Sequence, residues 1–169
     1  MLFRSTILVE PEQGCGPADR FMAAASGLRP GDELVLAAGV FCQTGRRLIT
    51  VSGTAEQPIV IRGAGRDKTV VTRPGSPVQG YRFEGTEFRG AHLIIRGIHF
   101  RGGKRGLVFH AGAHHVTLED SEVSDTSNNG VTLNNGDTSH FIVRRNEIHH
   151  TGNLDPRSEE HTSELQSPD

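Results

Sequence analysis

Between Arg82 and Asn134 the chain gathers residue types that move protons and hold anions. Lys104, Arg105 and His110 supply two cations and an imidazole in one short stretch. Glu84 and Asp125 supply carboxylates, and Asn128, Asn129 and Asn134 supply amides. Such a set suits acid–base chemistry beside an anion. A base takes the proton, a cation neutralises the charge that develops, and an acid assists the leaving oxygen. Lys104, Arg105 or His110 is the candidate base or charge stabiliser. Glu84 and Asp125, with Asn134, are the candidate oxygen ligands for Ca2+, although no tight carboxylate cluster accompanies them. The competing reading is that all of these are solvated turn residues, where exposed charge is ordinary.

Whether these groups meet depends on the elements that carry them, and the chain repeats itself. HLIIRGIHF starts at His92, HHVTLEDSEV at His114 and HFIVRRNEIHH at His140. His92, His115 and His140 are 23 and 25 positions apart, and GLVFH and GVTLN start 24 apart. Short strands at such a period, without a helical pattern, describe a solenoid. Strict alternation predicts five inward columns. They are Leu93–Val116–Phe141, Ile95–Leu118–Val143, Phe100–Val123–Ile148, Tyr81–Leu107–Val131 and Phe83–Phe109–Leu133, all apolar. Arg96, Glu119 and Arg144 form an outward ladder of alternating charge. Ser121 and Asn146 fall at a corner, where an Asn tolerates a left-handed backbone.

On the strand YRFEG, GLVFH, GVTLN the outward columns are Arg82–Val108–Thr132 and Glu84–His110–Asn134. The turns before them add Arg101, Lys104 and Arg105 in one coil and Asp125, Asn128 and Asn129 in the next. The histidines allow a second reading. In HAGAHH, His110 and His114 would share a helix face, but Gly112 places them in a turn, so zinc spacing does not apply. His92, His115 and His140 read as an outward ladder made by repetition, in preference to a metal site.

The rest of the chain frames these coils. Residues 1–31 read as an N-terminal strand and a capping helix over PADRFMAAASG, with Pro17 to start it and Gly27 to end it. Residues 32–152 are the coils. Residues 153–169 read as a non-native or disordered tail, because RSEEHTSELQS resembles a translated sequencing-library adapter. The natural frame is therefore expected to break near Pro156, with further coils missing. The last coil would then expose its core columns and strand edges, which favours self-association. Of 169 residues, 34% are hydrophobic and 21 are Gly, and the net charge is −2. That charge offers no basic field for nucleic acid, and no apolar run reaches membrane-span length. Cys15 and Cys42 fit no metal or redox spacing. Two separate buried thiols are the favoured reading, and one disulfide is the alternative.

Parallel strands joined by crossovers are right-handed in nearly all cases. The chain is accordingly all-β, a right-handed single-stranded parallel β-helix with a short N-terminal capping helix. GLVFHAGAHHVTLEDSEV, GVTLNNGDTSHFIVRRNEIHHTG and the upstream SGTAEQPIVIRGAG resemble the pectate-lyase-like β-helix superfamily, over roughly Arg29 to Gly152. The resemblance implies that a polysaccharide lies along the strand after the largest loops. Its contacts would be Arg82, Glu84, Thr132, Asn134, Asn128 and Asn129. It further implies a polyuronate lyase acting by β-elimination, with either Ca2+ or an Arg as the neutralising cation, in an extracellular or periplasmic full-length protein. This fragment itself is expected to be inactive. The other reading is a non-catalytic β-helix for glycan binding, adhesion or surface structure.

Overall fold

The computed structural model describes residues 4–12, 14–15, 19–46, 48–75, 81–134 and 136–152, so the tail expected at 153–169 lies outside the described residues. Three parallel sheets wrap one core. The first contains β1 (Ser5–Val9), β2 (Asp32–Leu36), β5 (Ile59–Arg62), β8 (Ala91–Arg96), β11 (His114–Glu119) and β14 (Ser139–Arg144). The second contains β3 (Gly39–Cys42), β6 (Thr69–Thr72), β9 (His99–Arg101), β12 (Glu122–Thr126) and β15 (Glu147–Thr151). The third contains β4 (Leu48–Ile49), β7 (Thr86–Phe88), β10 (Leu107–Phe109) and β13 (Val131–Leu133). The coils that begin at β2, β5, β8 and β11 each contribute one strand to each sheet, the right-handed parallel β-helix that the repeats imply.

Three of the expected columns stack as read. Val116 pairs with Leu93 on one side and Phe141 on the other, and Leu118 with Ile95 and Val143. Val123 lies between Phe100 and Ile148. The inner members Leu93, Ile95, Val116 and Val123 are fully buried. Each such side chain contributes about 1.5–3 kcal/mol of burial. In the outermost coil Leu133, Val143 and Ile148 are about half exposed.

The third sheet differs from the expectation. Leu107 pairs with Thr86, Val108 with Glu87 and Phe109 with Phe88, so the strand is TEF rather than YRFEG. Tyr81 and Phe83 are therefore not in these columns. Thr86 can occupy the core because its hydroxyl donates to Gln43 Oε1 at 2.9 Å, which satisfies a group whose burial would otherwise cost stability. Phe88 stacks on Phe109, with ring centroids 5.5 Å apart. Gly85 lets the preceding turn close, since a Cβ there would lie 2.0 Å from the Gly106 carbonyl oxygen.

The corners also differ by one residue. Positive φ falls at Gly97, Asp120 and Arg145, just before the predicted Ser121 and Asn146. Asn146 serves the corner through its side chain. Its Oδ1 accepts from Ser121 N at 2.9 Å, and its Nδ2 donates to Leu118 O at 2.8 Å.

At the other end, α1 (Arg20–Ala25) covers the core with Phe21, Met22 and Ala25. Asp19 caps it by accepting from Met22 N at 3.0 Å. Pro17, the expected first residue, lies outside the described residues. Cys15 and Cys42 form a disulfide, with Cα atoms 5.1 Å apart. This corrects the favoured reading of two separate thiols. The bond ties the segment before α1 to the end of β3, a proximity that no local spacing encodes.

Candidate functional site

The third sheet and the turns leading into it line a cleft of about 270 Å³. Its walls are Arg46, Arg82, Phe83, Glu84, Glu87, Arg105 and His110. β7 places Glu87, and the turns before β7 and β10 place Glu84 and Arg105. His110 and Asn134 follow β10 and β13, each with its backbone N–H bonded to the previous coil.

A fork anchors one side. Arg105 Nε donates to Glu84 Oε2 at 3.0 Å and Arg105 Nη2 to Oε1 at 3.0 Å, while the Arg105 backbone N–H adds a bond to Oε2 at 3.1 Å. Burial alone would raise the Glu84 pKa, but the Arg105 hydrogen bonds and charge outweigh it and hold the carboxyl below its ordinary value. The same bonds, acting against burial, push the Arg105 guanidinium higher. Arg105 is thus a fixed cation and not a base.

Hydrogen-bond chemistry then orders the rest. Arg105 has only donors, so the Asn134 atom 3.1 Å from Nη1 is the oxygen. The Asn134 amide nitrogen therefore faces His110 Nδ1 at 3.1 Å and donates to it. The ring proton sits on Nε2, which donates to Glu87 Oε2 at 2.8 Å. Glu87 is only 1% exposed. Its Oε1 has no hydrogen-bond partner among the described residues, although Arg46 Nε lies 3.4 Å away as an ion pair. In the same column, Thr132 Oγ1 is also buried without a hydrogen-bond partner among the described residues. The cleft thus offers exposed cations at Arg46 and Arg82 beside a buried carboxylate oxygen with spare accepting capacity.

Of the residues expected from sequence, Arg82, Glu84, Arg105, His110 and Asn134 come together. Lys104 is exposed in the turn, its backbone N–H bonded to Phe83 O. Asn128 and Asn129 are exposed one coil away, their carbonyls accepting from Thr126 and Gly106. Asp125 belongs elsewhere. It pairs with Arg101 at 2.8 Å and lines a different hollow with Tyr81. Glu84 and Asp125 therefore do not share a cation site. With Glu84 and Asn134 Oδ1 both accepting from Arg105, the donor set does not fit Ca2+, which wants several free oxygens.

Glu87 and Arg46 were not expected. Glu87 lies between Thr86 and Phe88 in the strand whose register was displaced, and Arg46 belongs to an earlier coil without the regular repeat.

The family described as a right handed beta helix region matches residues 47–159. The chain belongs to this family. Among solved structures, the β-helix is similar to an alginate lyase from Paenibacillus sp. str. FPU-7, with 29% identity and a TM-score of 0.68 over 84% of this chain and 44% of that one. It is similar to pectate lyase Pel9A at 20% identity and a TM-score of 0.66, over 83% of this chain and 38% of that one. A mannuronic acid specific polysaccharide family 6 lyase from human gut microbiota aligns at 17% identity and a TM-score of 0.51, over 72% of this chain and 26% of that one. The chain spans less than half the length of each of these structures. No curated protein matches it.

Proposed function

We propose that the cleft binds an acidic polysaccharide and that the chain is part of a polyuronate lyase acting by β-elimination. One observation carries this reading: the solvent-facing Arg46 and Arg82 share a cleft with a buried, partly unsatisfied Glu87 and its histidine. Guanidinium groups suit planar carboxylates. Phe83 offers a ring face, with the Arg82 guanidinium 5.1 Å from its centroid. The alginate and pectate lyases among similar structures point to the same substrate class.

In this reading Arg46 and Arg82 neutralise the uronate carboxylate. Asn134 turns its amide toward the sugar and frees His110 Nδ1, while Glu87 fixes the ring's orientation. His110 takes the proton from the carbon bearing the carboxylate. The electron pair becomes the new double bond, the bond to the neighbouring sugar oxygen breaks, and water returns a proton to that oxygen. Arg105 positions Asn134 rather than acting as the base. No step needs calcium. An oxidising compartment, extracellular or periplasmic, agrees with the Cys15–Cys42 bond.

A non-catalytic glycan-binding role is the second reading. It is favoured by His110 having both ring nitrogens engaged. Affinity electrophoresis through alginate, pectate and a neutral glucan tests the shared claim. Retardation in the acidic gels alone is expected, and equal migration in all three would overturn it. Release of unsaturated product separates lyase from binder.

A further inference from the structure

On the first sheet, away from the cleft walls, His92, His114 and His115 bring one ligand nitrogen each to within 4.8 Å of one another. His115 stacks on His92 with centroids 4.7 Å apart, and His140 continues the stack at 4.4 Å. His114 stands edge-on to both His92 and His115. Its Nδ1 lies 2.8 Å from His115 Nδ1, one ring donating and the other accepting, so the two nitrogens are already close together.

The backbone does not ask for these imidazoles. His92, His115 and His140 have φ of 52°, 53° and 56°, the left-handed region. Gly adopts this conformation most readily, and Asn, Asp and His are the side chains most often found in it. The other two left-handed columns, Gly97–Asp120–Arg145 and Gly102–Asp125–His150, mostly mix in such residues. Only this column repeats His in three successive coils. A neutral imidazole keeps one unprotonated ring nitrogen, the atom a metal ion takes.

We propose that His92, His114 and His115 form a site for an imidazole-preferring divalent transition metal of the zinc and copper class. Neutral imidazoles suit these ions, whereas calcium and magnesium prefer oxygen. Two nitrogens on a tetrahedral zinc ion lie about 3.3 Å apart, given bonds of about 2.0–2.1 Å. The His114–His115 nitrogens need to open only slightly from 2.8 Å. His92 is partly exposed and His115 exposed, so their side chains can turn toward the ion, and a fourth position stays open to water.

The test is zinc uptake by the untagged chain, followed by calorimetry and by elemental analysis after dialysis. One saturable zinc ion per chain is expected. His115→Asn suits the left-handed backbone, so it should fold at least as well and yet weaken zinc binding about tenfold or more, since even outer-shell partners of metal-binding histidines are worth that much. His114→Gln should do the same. His150→Asn, on the second sheet, should leave uptake unchanged. Absence of saturable binding, full binding by His115→Asn, or equal loss in His150→Asn would each overturn the site. Polysaccharide binding is measured separately, so this inference can fail without touching the cleft.

Discussion

His110 Nε2 lies 2.8 Å from Oε2 of Glu87, a carboxylate that is 1% exposed. This contact ties the end of β10 to the middle of β7 and sets the protonation pattern of the cleft. From Glu84 through Arg105, Asn134 and His110 to Glu87, every link has a defined donor.

The chain of donors predicts a single His110 tautomer. Nitrogen NMR at neutral pH should show the proton on Nε2. Asn134→Leu removes both the donor to Nδ1 and the acceptor for Arg105, so a mixture of tautomers and a loss of about 1–3 kcal/mol are expected. Chemical denaturation measures the second effect.

Glu84 predicts acid sensitivity. Its carboxyl titrates below its ordinary 4.5 in the folded chain. The unfolded chain therefore takes up the proton first as pH falls. The Glu84–Arg105 contribution is complete above the unfolded value and disappears as pH drops through the folded one. Melting temperature should fall over that acidic window in the wild type and fall less in Glu84→Gln. The pair is partly solvated, so the gain at neutral pH is modest.

Stacking of the coils predicts a large effect at one central position. Leu118 is 1% exposed between Ile95 and Val143. Leu118→Ala should destabilise by about 2–5 kcal/mol in urea titration. An outward change beside it, Thr117→Ser, should cost far less.

Much of this architecture was legible because apolar residues at fixed offsets admit one register. Val116 and Leu118 alternate with His115, Thr117 and Glu119, and that coil sets the register for Leu93 and Phe141, whose next neighbours Ile94 and Ile142 are apolar. The third sheet was harder. YRF offers two aromatic ends, whereas TEF offers one, and Thr86 enters the core only through Gln43, a residue 43 positions away. The displaced register hid Glu87, although Arg82, Glu84, His110 and Asn134 still reached the cleft through the turns. Asp125 was misplaced because it lies in β12 of the second sheet rather than in the following turn, and there it faces Arg101 and Tyr81. The disulfide was illegible because its cysteines are 27 apart with no motif between them.

That disulfide should matter for the N-terminal cap. Closing a loop of 27 residues is worth about 3–4 kcal/mol in the chain-entropy picture. Reduction, or Cys15→Ser with Cys42→Ser, should lower the urea midpoint accordingly. An unchanged midpoint would mean that α1 and β1 hold without it.

In the proposed function, Arg46 and Arg82, which line the same cleft as Glu87, receive a polyuronate. Calorimetric titration of wild type and of Arg46→Ala/Arg82→Ala with oligouronates, at two salt concentrations, tests it most directly. Salt-sensitive binding by the wild type, weakened about tenfold or more in the double variant, is the expected result, each lost charge-assisted contact being worth about 1.5–3 kcal/mol. Equal affinity for the two proteins, or binding indifferent to salt, would contradict it.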